Sequence, residues 1–182
     1  PEVSKTVKVH AGKLAEVTIE LNSVWNANEH GWLSGDHHFH LNYGGPYQNT
    51  PEDIIPMMHG EELDMATPLL ANLHNRFEEQ KYWGWRSGGT LPYIEFGQEV
   101  RSHFLGHLGL IGITDLYWPW IWGPGYQVYG KDDRPNTEVL SFTRQQGGLS
   151  IYVHPFSARD PLSQSGMRRI PVELIVDGVL GE

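Results

Sequence analysis

The chain has 182 residues, enough for one globular domain with part of a second. Its formal net charge of −9 arises from 22 acidic against 13 basic residues, and no Lys/Arg run is present to follow a phosphate backbone, which argues against nucleic acid as a partner. No stretch approaches the roughly 20 apolar residues of a membrane-spanning helix, and the absence of Cys leaves only His and carboxylate as metal ligands.

In chain order, Val7-Lys8-Val9 and Val17-Thr18-Ile19-Glu20-Leu21 alternate apolar and polar residues around Ala11-Gly12-Lys13, which predicts a β-hairpin. Two strands alone are marginal, so the hairpin is expected to end an upstream β-sandwich, with a polar linker over residues 22–30. Leu33 to His40 follows as a strand that stops at the turn-rich Asn42-Tyr43-Gly44-Gly45-Pro46. Thr50-Pro51-Glu52-Asp53 supplies a capping hydroxyl, a proline at the first helical position and an acid three residues after the cap. The predicted helix runs to about Glu62, kinked where Pro56 lacks a backbone donor.

Met65 to Ala71 and Tyr93 to His103 are further strand-length runs, and Asn136 caps a helix over Thr137 to Gln146 that Gly147-Gly148 end. Leu149 to Val153 is predicted as a buried strand ending on His154-Pro155, and Val172 to Val176 as another. Strands alternating with helices predict parallel pairing and an α/β barrel or layered sheet, with its site at the strand C-termini. The start at Pro1 and the stop at Glu182, just after an apolar run, are read as the ends of a fragment.

Ten His in one such chain is a heavy load, and three places concentrate it. Strand side chains repeat every two residues, so His38 and His40 share a face and together suit one divalent ion; a solvated His-rich strand is the alternative. By the same periodicity Glu99, Arg101 and His103 share a face, with His107 just beyond, either as a site or as an exposed charged strand. His154 stands where Pro155 prevents further ladder, as a ligand or as a hydrogen-bonded core residue. Arg101 has the charged fork to hold an oxyanion, and His103 or His107 the chemistry to protonate a leaving group.

Tyr117-Trp118-Pro119-Trp120-Ile121-Trp122-Gly123-Pro124-Gly125-Tyr126 is read as an aromatic loop. It either covers the barrel, packs a homo-oligomer contact, or walls a site for an apolar or sugar-like substrate.

Taken together, Gly31-Trp32-Leu33-Ser34-Gly35-Asp36-His37-His38-Phe39-His40, Thr50-Pro51-Glu52-Asp53, Gly97-Gln98-Glu99-Val100, Gly106-His107-Leu108-Gly109 and Tyr152-Val153-His154-Pro155 resemble the polymerase and histidinol phosphatase (PHP) superfamily, nearest its CehA/McbA-type metallohydrolases. The resemblance implies a distorted (β/α)7 barrel over residues 31–182, incomplete at its C-terminal end, behind residues 1–30 as the end of a β-sandwich plus linker. It implies one to three divalent ions (Zn, Mn or Fe) and hydrolysis of a phosphate, carbamate or carboxylic ester of a small-molecule or glycan-like substrate. By the same resemblance His38 and His40 match the first motif, Glu99 a bridging acid, His154 the His-Pro motif, and His107 a position beside the metals. A periplasmic or extracellular location goes with that branch.

Two departures stand out. Leu70-Ala71-Asn72-Leu73-His74 replaces the Asp-His pair of many members, and the late Asp-x-His motif is absent. The competing expectation is a non-catalytic surface or secreted binding module on the same scaffold, recognising its partner through the aromatic loop.

Overall fold

A computed structural model describes residues 3–22, 24–42, 48–70, 79–102, 105–123 and 134–153. The chain divides into two units, residues 1–33 and residues 34–182. In the first, only the turn of the expected hairpin is formed: the Lys13 N–H donates to the His10 carbonyl at 3.2 Å, with Gly12 at φ +72°. No strand is present among the described residues of this unit, and Val9, Leu14 and Leu21 lie exposed. A two-stranded ribbon has no second layer on which to bury its apolar side chains.

The second unit is built on strands β1 (Gly35–Phe39), β2 (Met65–Leu70), β3 (Tyr93–Ile94), β4 (Gly97–Ser102), β5 (Gly106–Ile111), β6 (Ile121–Trp122) and β7 (Leu149–Val153), with helices α1 (Ile54–Gly60) and α2 (Asn136–Gln145). The sheet order is β1-β2-β4-β5-β7, with β3 added to β2 and β6 to β4. β1, β2 and β4 run parallel, as expected, because α1 carries the chain back between β1 and β2.

The (β/α)7 barrel is not formed. The described chain is a curled, mixed sheet, half of a barrel, with two short α-helices. Only three residues, 103–105, connect β4 to β5, too few for the dozen or so of a parallel crossover, so β5 turns back antiparallel. β7 then pairs antiparallel with β5 as well. It is not the buried strand expected, since Leu149 is 70% exposed and Ile151 38%. The expected strand Val172–Val176 lies outside the described residues.

Both α-helices cover one face of this sheet. Ile54 and Met58 of α1 pack with Ala66, Leu70, Phe96 and Trp120. Val139 and Leu140 of α2 pack with Val100, Leu108, Leu110 and Trp122. α1 begins as the sequence predicts: the Asp53 carboxylate accepts the Thr50 N–H at 2.7 Å and its hydroxyl at 3.0 Å, ahead of a 3-10 turn, Pro51–Asp53. The aromatic segment is not a simple loop. Ile121–Trp122 pair with β4, and Tyr117, Trp120 and Trp122 are buried, while Trp118 is 60% exposed. Gln98 ties this segment to β4, donating to the Tyr117 carbonyl at 2.8 Å and accepting its N–H at 2.7 Å.

Candidate metal centre

Register sets which side chains meet on the opposite face, which no helix covers among the described residues. Asp36 pairs with Ala66 and Phe39 with Pro68, so two residues of β1, His37 and His38, oppose Thr67 alone. This irregularity turns both imidazoles to one face: His37 Nδ1 lies 2.9 Å from Thr67 Oγ1, while His38 and, two residues on, His40 face Glu99.

In β4, Glu99 pairs with Gly109 and Arg101 with His107 across the antiparallel ladder, and directly paired residues share a face. Gly109 adds no side chain opposite Glu99, and a Cβ there would meet Leu69 and Val153 at 3.3 Å. β2 ends at Leu70, opposite Gln98, so Glu99 stands one residue past that end. The centre therefore lies where β1 and β2 finish, the edge at which parallel strands present sites.

Glu99 is fully buried and is the hub. Its Oε1 accepts from His107 Nδ1 at 2.7 Å, and its Oε2 accepts from Arg101 Nη2 at 2.6 Å and lies 2.9 Å from His40 Nε2. Taking a carboxylate out of water is costly unless a partner compensates, and the Arg101 guanidinium, itself 5% exposed, supplies that charge. The His40 ring is fixed from behind. Its Nδ1 is 2.8 Å from the Leu69 carbonyl, which can only accept, so Nδ1 donates there while Nε2 faces Glu99. A backbone carbonyl behind the far ring nitrogen is the support that metal-ligating His usually have.

One atom each from His38, His40 and Glu99 lies within 4.8 Å of the others. Two ligands each about 2.1 Å from one zinc are at most about 4.2 Å apart, so a shift of roughly half an ångström brings the widest pair into a single shell. Two imidazoles and a carboxylate suit Zn, Mn or Fe, and the residues fit such an ion. His107 is bonded to the other oxygen of Glu99 and lies outside this trio. His103 and His154 lie outside the described residues.

Sequence reasoning missed His37 as a residue of the same face and missed β5 as the strand that carries His107. The first needed the β1 irregularity, which leaves no period-2 trace. The second had a signal in the alternation of Leu108 and Leu110 with His107 and Gly109. Beside His40, on the α1 side, a cavity of about 270 Å³ is lined by Phe39, Leu41, Ile54, Met57 and Met58, with Asp36 among its polar residues. Comparison of the chain with protein families, curated proteins and solved structures found no match.

Proposed function

We propose that the protein is a metal-dependent hydrolase acting on a phosphate, carbamate or carboxylic ester. The observation that carries this reading is the convergence of His38, His40 and the fully buried Glu99 at the strand ends, a concentration of polar groups that a packed sheet does not need. His38, His40 and Glu99 would hold a divalent ion, which when bound would supply Lewis acidity toward the scissile group and water.

The chain's own residues divide the remaining work. The Leu69 carbonyl fixes the orientation of the His40 ring through Nδ1, and Arg101 holds Glu99 as its neighbour in charge. His107 is oriented by Glu99 through Nδ1, and its imidazole is the group beside the centre with the chemistry to protonate a leaving group. The cavity beside His40 is near the lower limit of ligand pockets, about 300–1,000 Å³, and its apolar lining suits a small ester with a hydrocarbon arm.

A second reading is favoured by one specific observation: both oxygens of Glu99 already have protein partners. The cluster then is a self-sufficient polar network in a non-catalytic binding module. Elemental analysis of protein purified without chelator, combined with turnover of phenyl phosphate, carbamate and carboxyl esters, separates the two. The hydrolase predicts bound divalent metal and turnover of one ester class; metal-free, inert protein would establish the module.

A further inference from the structure

Arg101 stands where a cation would be drawn. Its Nη2 is 2.6 Å from Glu99 Oε2 and 3.5 Å from His40 Nε2, and those two atoms are themselves 2.9 Å apart. The guanidinium thus shares the carboxylate oxygen and borders the imidazole nitrogen on which the proposed metal site depends. We propose that Arg101 is a resident cation of this site: it compensates Glu99 when no ion is bound and holds down the site's affinity for divalent ions. The inference rests on reading His38, His40 and Glu99 as metal ligands.

A guanidinium cannot be deprotonated in a protein, so its charge persists at every working pH. It is only 5% exposed, where salt screens the repulsion between it and an incoming divalent ion poorly. Finally, it is not held by a full set of acceptors. Arg101 Nε is buried and makes no hydrogen bond among the described residues, so the attraction of Glu99 is a main reason for the side chain's position. Such a side chain loses little besides the Glu99 contact when an ion takes over the carboxylate. A residue that merely buttressed a ligand would be expected to have its donors satisfied in the resting state.

The test compares the full chain with R101M, both stripped by chelator, by calorimetric titration with Zn²⁺ and with Mn²⁺ and by melting with and without ion. R101M should bind at least about tenfold more tightly, since it removes a unit charge within a few ångströms of the ion. Its metal-free Tm should fall, because Glu99 loses the permanent counter-charge of Arg101 and keeps the His40 and His107 contacts, and the gain in Tm on adding ion should exceed that of the parent. R101K keeps the charge and should bind as the parent does. Should R101M not fold without ion, R101Q, neutral and still able to donate to Glu99, should show the same tightening. Equal or weaker binding by the neutral variants, with the parent binding normally, would make Arg101 a buttress of Glu99 and overturn the proposal. If neither parent nor variant takes up an ion, the metal site itself is refused and the proposal falls with it.

Discussion

At Glu99 a single carboxylate meets His40, Arg101 and His107, so its replacement separates charge from shape. Glu99→Gln keeps the outline but leaves Arg101 as an uncompensated buried cation. It should cost about 3–5 kcal/mol, the penalty for breaking a buried pair by removing one partner. Chemical denaturation of metal-free protein reads this, and a loss under 1 kcal/mol would mean that water already compensates the pair. Neighbouring histidines should then divide sharply. His38→Ala and His40→Ala should each weaken divalent binding by more than the roughly 10- to 100-fold typical of losing an outer-shell partner. His37→Ala should leave affinity near that of the parent, because its Nδ1 is engaged with Thr67 and it lies outside the trio. Equal losses at His37 and His38 would show that the β1 irregularity places the ligands differently from the cluster described.

Elements tell how far the sequence could be read. The start of α1 was legible because Thr50, Pro51 and Asp53 act on their own neighbours, and β2 and α2 were legible from one run or one glycine stop each. Strand direction was not, because it depends on the connection: residues 103–105 decide that β5 is antiparallel, and no periodicity in either strand records that. The site was partly legible for the same reason. His38, His40 and Glu99 are drawn together by alternation within β1 and β4, whereas the contact of Glu99 with His107 depends on a ladder the sequence does not show. That ladder should be intolerant at Gly97. A Cβ there would lie 2.5 Å from the Leu110 carbonyl oxygen, backbone that cannot swing aside, and 2.9 Å from Leu69. Gly97→Ala should therefore cost about 1–3 kcal/mol, the range for overpacking, in a denaturant melt; an unchanged midpoint would mean that β4 and β5 are spaced differently. At the other end of the unit, hydrogen bonds from the Thr50 N–H and hydroxyl hold the Asp53 carboxyl below its ordinary value of 3.8. The sign follows from proton binding: a depressed carboxyl stabilises the helix start fully above that ordinary value and progressively less as pH falls through the folded one. Amide exchange over residues 54–60 should quicken more below pH 3.8 than intrinsic exchange accounts for, and Asp53→Asn should remove that extra dependence.

For the whole molecule, core and site fall on one side of a single boundary. Every residue of both apolar clusters, from Leu41 to Val139 and Leu140, lies beyond residue 33, and so do His38, His40, Glu99, Arg101 and His107. Residues 3–22 and 24–33 contain no buried side chain among those described. Stability comes mainly from apolar area removed from water, at roughly 25 cal/mol per Å², and a segment with no buried residues contributes little of that. A chain shortened to residues 34–182 should accordingly melt cooperatively within a few degrees of the parent and bind Zn²⁺ or Mn²⁺ with the same affinity. Circular dichroism melting and calorimetric titration of the two chains side by side provide the check. Loss of the cooperative transition would show that residues 1–33 complete the core of the second unit. Retention of the transition with loss of binding would show instead that the first unit supplies a ligand, and the trio of His38, His40 and Glu99 would then not be the whole of the site.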